Sequence, residues 1–205
     1  MIGVLILAGG QGSRIGGNKA LLNFRGRSLI SYVIKTALEL SEEIFIVVEK
    51  EEDIEDLGQL PSQVSVVSDI VPGKGPLIGI YSGLRCLRSE YSVILPCDSP
   101  FIRVSVVKYL VEKAQGFDAA IPIWPNGYVE PLHSVYKVKT ALRASEEAIK
   151  EGKLRVQGMI ERLNRIVYIS TEDLKTFDQK LLSFFNINSE ADLRVAEELH
   201  EAHKD

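Results

Sequence analysis

Short runs of apolar residues alternate along the chain with longer segments in which apolar residues recur every three or four positions. The short runs, rich in Val and Ile, predict strands at Ile2–Leu7, Ile44–Val48, Val64–Val67, Ser92–Leu95, Ala119–Ile123, His133–Tyr136 and Ile166–Ile169. The longer segments predict helices at Ser28–Leu40, Leu77–Leu87, Val104–Gln115, Thr140–Lys150, Arg155–Leu163 and Asp192–His203.

Several of these strands are apolar on successive residues, whereas a strand with one face in water alternates apolar and polar residues. Continuous apolar strands are typical of a parallel sheet that helices cover on both faces. The alternation of strand and helix therefore predicts the α/β class. We expect a three-layer, doubly wound and mostly parallel sheet with a Rossmann-like nucleotide-binding half.

Composition narrows the picture to one domain with a small ligand. The chain has 205 residues, with 24 Lys and Arg against 28 Asp and Glu and a formal net charge of -4. A chain of this length buries about 70% of its unfolded surface, so we expect a single domain over residues 1–205 without disulfides or a structural metal. Near-balanced charge offers no broad attraction for nucleic acid or an anionic membrane, so a bound polyanion must meet a local cluster of basic groups.

The cysteines and the apolar N-terminal run indicate the cellular compartment in which we expect the protein. Cys86 and Cys97 are too few for a disulfide framework and too widely spaced for a C-x-x-C motif. Ile2–Leu7 lacks the preceding basic residues of a signal peptide and stops at Gly9-Gly10. No later stretch approaches the roughly 20 apolar residues of a membrane span, so we expect a cytoplasmic protein with no membrane partner.

A glycine-rich loop follows the first predicted strand, where an open α/β sheet binds its ligands. The loop, Ala8 to Lys19, holds five glycines, and its only charged residues are Arg14 and Lys19. It is not a dinucleotide fingerprint, because Ile15 replaces a required glycine or alanine, nor a P-loop, because it ends in Asn18-Lys19-Ala20. Glycines let backbone N–H groups approach phosphate oxygens while the cations neutralise them, which predicts a polyphosphate cradle.

Two aspartates lie just past other predicted strands. Asp98 stands in Pro96-Cys97-Asp98-Ser99-Pro100, after the fourth strand, and Asp69 falls just past the third. A rigid carboxylate beside a polyphosphate is a natural Mg²⁺ ligand, because Mg²⁺ binds one or two carboxylates together with phosphate oxygens. We therefore predict Asp98 as the metal ligand, with Mg²⁺ as the cofactor, and Asp69 near the nucleotide.

The histidines are not expected to form a site. His200 and His203 lie in the C-terminal segment and His133 stands alone beside a strand, so no zinc spacing or Ser/His/Asp arrangement is visible. Trp124, in the turn before His133, is either a pocket residue or a packing residue.

These motifs together resemble the nucleotidyltransferase family, and specifically the molybdenum cofactor guanylyltransferases of the molybdopterin-guanine dinucleotide biosynthesis protein A type. Four further segments carry the resemblance: Leu7 to Lys19, Gly75 to Ile80, Glu130 to Tyr136 and Asn186 to Leu193. The likeness spans most of the chain and implies a fold like that of the nucleotide-diphospho-sugar transferases.

The resemblance implies Mg²⁺-dependent transfer of GMP from GTP to the phosphate of molybdopterin, which gives molybdopterin guanine dinucleotide and pyrophosphate. The implied nucleotide contacts are Leu7, Ala8, Gly9, Gly10, Lys19, Asp69 and Asp98. The expected acceptor-side residues are Arg155, Asn186 and Asn188. The expected catalytic residues are Arg14, Lys19 and Asp98. Other proteins of molybdenum cofactor biosynthesis are expected as transient partners.

Two alternatives stay open at this point. Cytidylyltransferases and sugar-1-phosphate nucleotidyltransferases share the first loop, and Glu49-Lys50 stands where some guanylyltransferases place an Asn near the base. A non-catalytic nucleotide-binding module is the alternative of another class. The presence of Lys19, Asp69 and Asp98 together argues against that module, because a chain that had lost the reaction would have little reason to keep both a cation and a metal ligand.

Overall fold

The structure is a computed structural model that describes residues 2–9, 18–51, 53–71 and 75–201. Its strands are β1 (Ile2–Leu7), β2 (Asn23–Phe24), β3 (Arg27–Ser28), β4 (Ile44–Val48), β5 (Val64–Ser68), β6 (Tyr91–Pro96), β7 (Ala119–Ile123), β8 (Ser134–Lys137) and β9 (Ile166–Ser170). The strands β2 and β3 pair as a short antiparallel hairpin. The others form one sheet in the order β5-β4-β1-β6-β8-β7-β9.

Most of the main sheet is parallel. The neighbours from β5 through β4 and β1 to β6 pair in parallel, and so do β7 and β9. β8 runs antiparallel to both β6 and β7. The connection from β7 to β8 contains a tight turn at Gly127, whose φ is 84°, whereas a return to a parallel strand needs a longer crossover, usually through a helix. The predicted mostly parallel α/β fold is confirmed.

Helices cover both faces of this sheet. They are α1 (Leu29–Leu38), α2 (Asp53–Asp56), α3 (Pro76–Leu84), α4 (Val104–Lys113), α5 (Val138–Lys150), α6 (Val156–Ile160), α7 (Thr171–Leu174) and α8 (Glu190–Glu201). Residues of α1, α4 and α7 join the apolar cluster on one face, and residues of α3, α5 and α6 join the cluster on the other. Along β1, Val4 and Ile6 belong to the first cluster and Leu5 and Leu7 to the second. The continuous apolar run is therefore buried on both sides, as the three-layer prediction requires.

Some helix ends differ from the prediction by a few residues. Ser28, predicted inside the first helix, ends β3 and has extended backbone angles just before α1. The helix α6 stops at Ile160 rather than Leu163. The helix α8 begins at Glu190 rather than Asp192, because Ser189 accepts a hydrogen bond from the Asp192 amide and caps the first turn. The predicted end of that helix, His203, lies outside the described residues.

None of the helices in the described ranges combines the length and the apolar character that crossing a membrane requires. Cys86 and Cys97 carry free thiols. Cys97 is buried, and this burial, with the charge of the neighbouring Asp98, raises the pKa of its thiol to about 12. The thiol therefore stays protonated at neutral pH, as expected for a packing residue.

Candidate active site

The candidate site lies along the carboxyl edge, which is the edge of the sheet where β1, β4, β5 and β6 end. The strand pairing continues one residue beyond the strands at this edge. The amide of Ala8 donates to the Val47 carbonyl over 2.8 Å, and the amide of Cys97 donates to the Leu7 carbonyl over 3.1 Å. The backbone immediately after β1 and before Asp98 is thereby fixed by ladder hydrogen bonds rather than left as a free loop.

Lys19 and Asp98 form the central ion pair of the site. Lys19 opens a short 3₁₀ turn, Lys19–Leu21, in which the Asn18 side chain accepts a hydrogen bond from the Ala20 amide over 3.1 Å. The ammonium of Lys19 donates to Asp98 Oδ2, and both side chains are mostly buried. The same ammonium donates to Asn188 Oδ1 over 2.7 Å. Three predicted site residues from distant parts of the chain therefore meet at one nitrogen atom.

The second oxygen of Asp98 has no such partner. Asp98 Oδ1 is buried and makes no hydrogen bond within the described residues. A buried carboxylate oxygen without a partner carries a desolvation cost that a bound cation removes. The described ranges hold no cluster of three or more His, Cys, Asp or Glu that would bind a metal by itself. The donor set consequently fits a cation such as Mg²⁺, which takes one carboxylate and completes its shell with phosphate oxygens and water.

Asp69 lies farther along the carboxyl edge, beyond β5. Its amide donates to the Val48 carbonyl over 2.9 Å, and its Oδ1 is buried without a hydrogen-bond partner in the described part of the chain. Burial, and secondarily the charge of Glu49, raises the pKa of Asp69 to about 7. The helix α3 passes beside this carboxylate, since a Cβ at Gly79 would lie at an ordinary contact distance of 3.4 Å from Asp69 Oδ1. An acceptor that is desolvated in this way is ready for a hydrogen-bond donor from a ligand.

The Asn-x-Asn segment, Asn186 to Asn188, closes the site from the C-terminal part of the chain. The amide of Ile187 donates to the Asp98 carbonyl over 3.0 Å, which holds the segment against the end of β6. The amide of Asn188 and the hydroxyl of Ser189 each donate to Asp192 Oδ2 over 2.9 Å. The Ser189 hydrogen bond is the main reason that the pKa of Asp192 is lowered. The first turn of α8 therefore fixes the residue that binds Lys19.

Sequence reasoning missed a buried polar cluster behind this segment. Ser99 Oγ donates to Asn186 Oδ1 and lies 3.1 Å from His133 Nε2. On the far side of the ring, His133 Nδ1 is 3.8 Å from Glu130 Oε2. The expectation that His133 stands alone is wrong, because β8 runs beside β6 and brings His133 to Ser99. The Pro-Cys-Asp-Ser-Pro motif places Ser99 next to Asp98, but nothing in the motif indicates His133 as its partner.

Two other predicted residues do not belong to the group formed by Lys19, Asp98 and Asn188. Arg155 is exposed and immediately precedes α6, next to Leu154, whose carbonyl would lie 3.8 Å from a Cβ at Gly75. Trp124 is a packing residue, since its ring contacts Phe184 edge-on and its indole donates to Glu130 Oε1 over 2.7 Å.

The predicted residues of the first loop are only partly described. Leu7 ends β1, and Ala8 and Gly9 follow it at the carboxyl edge. Gly9 is exposed, and a Cβ there would lie 3.4 Å from the Glu49 amide. Gly10 and Arg14 lie outside the described residues, so their assignment stays a prediction.

Comparison with known proteins shows what the chain is similar to. Residues 4–166 match the family described as the MobA-like NTP transferase domain. A Methanosarcina mazei protein named "Probable molybdenum cofactor guanylyltransferase" is 35% identical, over 92% of this chain and 87% of its own length. A solved structure, molybdopterin-guanine dinucleotide biosynthesis protein A from Archaeoglobus fulgidus, is 33% identical, with a TM-score of 0.84 over 98% of this chain and 100% of that chain.

A more distant structure shares the fold alone. The 4-diphosphocytidyl-2C-methyl-D-erythritol synthase of Anaerococcus prevotii has a TM-score of 0.70 over 98% of both chains, at 16% identity. The overall fold is thus shared with a protein whose sequence has diverged widely.

Proposed function

The chain belongs to the family of MobA-like NTP transferase domains, and on that premise we propose that it transfers GMP from GTP to the terminal phosphate of molybdopterin. The products are molybdopterin guanine dinucleotide and pyrophosphate. The observation that carries the proposal is the meeting of Lys19, Asp98 and Asn188 at the carboxyl edge. Relatives at about a third identity over most of the chain carry the name of this activity.

The reaction balances without an added acid or base. An oxygen of the acceptor phosphate attacks the α-phosphorus of GTP in line, a new P–O–P bond forms, and the bond to the β-phosphate breaks to release pyrophosphate. A phosphate monoester has a second pKa of about 6, so the acceptor is already a dianion at neutral pH. The chain therefore needs to position two polyanions and neutralise their charge rather than remove a proton.

Within the described residues, Lys19 is well placed for that task. An ammonium has three N–H donors, and Asp98 and Asn188 occupy two of them, which leaves one for a phosphate oxygen. In our proposal Lys19 neutralises the charge that develops toward the leaving pyrophosphate, and Arg14 of the same loop assists it. The backbone of Leu7, Ala8 and Gly9 is proposed to contact the nucleotide.

Asp98 is the residue proposed to hold Mg²⁺, and its unpartnered Oδ1 supports this assignment. A Mg²⁺ ion held there would supply positive charge that stabilises the transferring phosphoryl group. Asp69 is proposed to accept hydrogen bonds from the nucleoside, which its unpartnered Oδ1 supports. Asn186, Asn188 and Arg155 are proposed for the acceptor side.

The cellular setting follows as part of the same proposal. Free thiols at Cys86 and Cys97 suit a reducing compartment, and we place the reaction in the cytoplasm. Delivery of molybdopterin by another protein of the same biosynthesis is the partner contact that we expect.

A melting experiment with nucleotides tests the proposal without molybdopterin. A ligand that binds only the folded state raises the melting temperature according to its occupancy. We expect GTP with Mg²⁺ to stabilise the protein most, and GTP with excess EDTA to stabilise it less. Equal or greater stabilisation by CTP favours a cytidylyltransferase. No response to GTP, CTP, ATP or UTP favours a module without nucleotide chemistry.

A further inference from the structure

We propose that Ser99 and His133 are positioning residues that turn the amide of Asn186 so that its Nδ2 amino group faces the acceptor. The inference rests on the proposed function, in which the Asn-x-Asn segment lies on the acceptor side. Neither Ser99 nor His133 touches Lys19 or Asp69 by a hydrogen bond within the described residues. Their effect on the reaction passes through Asn186.

A line of polar contacts runs through the protein interior to Asn186. It starts at the indole of Trp124, which donates to Glu130 Oε1 over 2.7 Å. Glu130 Oε2 faces His133 Nδ1 at 3.8 Å, and His133 Nε2 lies 3.1 Å from Ser99 Oγ. Ser99 Oγ then donates to Asn186 Oδ1. Ser99 is 1% exposed and His133 is 5% exposed, so water does not compete for these contacts.

The direction of the hydrogen bonds follows from counting hydrogens. A serine hydroxyl has one hydrogen, and Ser99 gives it to Asn186 Oδ1. The contact between Ser99 Oγ and His133 Nε2 therefore needs a hydrogen on Nε2. Burial lowers the pKa of His133 to about 3, so the ring is neutral and carries one N–H. His133 Nδ1 is then bare, which agrees with its lack of a hydrogen-bond partner in the described part of the chain. The 3.8 Å between this nitrogen and Glu130 Oε2 is too long for a hydrogen bond, so Glu130 lies beside the ring without fixing its hydrogen.

The direction of these hydrogen bonds determines whether Asn186 offers a ligand its amino group or its carbonyl oxygen. With Oδ1 accepting the hydrogen of Ser99, the Nδ2 amino group is the end of the Asn186 amide that can donate to a ligand. A phosphate dianion only accepts hydrogen bonds, so an amino group attracts it and a carbonyl oxygen repels it. In the opposite polarity, with the hydrogen on His133 Nδ1, Ser99 would donate to the ring and Asn186 would turn its oxygen outward.

The cluster is not a hydrolytic triad, although it contains a serine, a histidine and a glutamate. Ser99 donates its hydrogen to Asn186 rather than to His133, and it is buried away from solvent. A histidine whose pKa is about 3 is too weak a base to activate a hydroxyl at neutral pH. These properties suit a fixed scaffold.

The kinetic test compares replacements of His133. We expect His133→Phe to raise the KM for molybdopterin by about tenfold, because one oriented donor to the acceptor is lost, while kcat and the Kd of GTP change little. His133→Gln keeps a side-chain N–H toward Ser99 and should return the KM toward the wild-type value. An unchanged KM in a folded His133→Phe protein, or an equal loss of GTP binding, overturns the proposal.

A spectroscopic test needs no acceptor and separates this inference from the proposed function. In protein labelled with ¹⁵N-histidine, the ring nitrogens report which one carries the hydrogen, and His133→Gln identifies the His133 signals among those of the three histidines. We expect the hydrogen on Nε2 between about pH 6 and pH 8. A hydrogen on Nδ1 overturns the inference even if the wild type makes the dinucleotide. Absent turnover with the hydrogen on Nε2 contradicts the proposed function instead.

Discussion

At the scale of single residues, the position of Lys19 is set by two oxygens that lie far from it in the sequence. Asp98 and Asn188 are 79 and 169 residues away, respectively. Replacing the ammonium removes the charge that faces the phosphates and leaves Asp98 without its ion partner. A mostly buried carboxylate that loses its partner is costly, so stability and turnover must be measured separately.

We predict that Lys19→Ala lowers kcat/KM for GTP by at least about a hundredfold, which is the usual scale for a group that stabilises a transferring phosphate. Turnover with excess Mg²⁺-GTP and molybdopterin is the measurement, with circular dichroism to confirm folding. Lys35→Ala, which removes an exposed lysine of α1, is the matched control and should keep wild-type turnover. A folded Lys19→Ala protein with wild-type kinetics would show that the assignment is wrong.

Asp69 gives the site a dependence on pH near neutrality. Its pKa is about 7 in the folded protein, against an ordinary value of 3.8. The folded state therefore holds the proton to higher pH than the unfolded chain does, and stability declines as pH rises from about 4 to about 7. Ionisation has the opposite effect on ligand binding, because only the carboxylate is purely an acceptor.

The prediction is that GTP binds about tenfold more weakly near pH 6 than near pH 8, because one pH unit below its pKa about a tenth of Asp69 is ionised. Isothermal titration at constant ionic strength measures the Kd. Asp69→Asn cannot ionise and serves as the control for titration of GTP itself. If wild type and Asp69→Asn show the same pH profile, the carboxylate does not bind the nucleoside.

At the scale of elements, the packing of α3 against the sheet depends on Gly83. A Cβ at Gly83 would lie 2.9 Å from Leu5 Cδ1, Leu5 Cδ2 and Val47 Cγ2, which is closer than real Cβ contacts allow. A Cβ at Gly79, four residues earlier in the same helix, would meet its neighbours at 3.4 Å or more. The two glycines therefore form a matched pair.

We expect Gly83→Ala to destabilise the protein by about 1–3 kcal/mol, because the added methyl overpacks the interface between α3 and the sheet. Gly79→Ala should cost less, since the better helix propensity of alanine offsets an ordinary contact. Urea unfolding of the two variants beside the wild type gives both values. Equal destabilisation of both variants would contradict the packing argument.

Elements were predictable from the sequence where local pattern determined them. The runs Ile2–Leu7, Ile44–Val48 and Ala119–Ile123 are strands with the predicted bounds, because each is apolar throughout and buried on both faces. The β2–β3 hairpin was not predicted, since its strands have two residues each and show no period. The two turn residues, Arg25 and Gly26, both have positive φ, as a two-residue hairpin turn requires. Only the glycine is a residue type that usually indicates such a turn.

At the scale of the whole molecule, the C-terminal helix packs on the N-terminal hairpin and completes the site. The Arg25 side chain donates to the Glu197 carbonyl over 2.9 Å and pairs with Glu201. Phe24 and Leu29 share a buried cluster with Ile187 and Ala196. The contacts of Ile187, before Asn188, and of α8, after it, thereby bring Asn188 to Lys19.

Site residues at strand ends were predictable from the sequence, whereas contacts that depend on long-range packing were not. Asp69 and Asp98 were predicted because strand ends meet at one edge of a parallel sheet. The Ser99–His133 contact was not, because it depends on β8 running antiparallel beside β6 and no local pattern specifies that pairing. Hydrogen bonds between residues so far apart in sequence follow from tertiary packing, which single-residue patterns do not encode.

The most direct measurement is transfer of label from α-³²P-GTP to molybdopterin by the purified protein with Mg²⁺. The account predicts that the α-phosphate label appears in a guanine dinucleotide product while label from γ-³²P-GTP appears in pyrophosphate, with α-³²P-CTP a poor donor. Transfer from CTP in preference to GTP, or no transfer to molybdopterin from a folded protein that binds GTP, would contradict it.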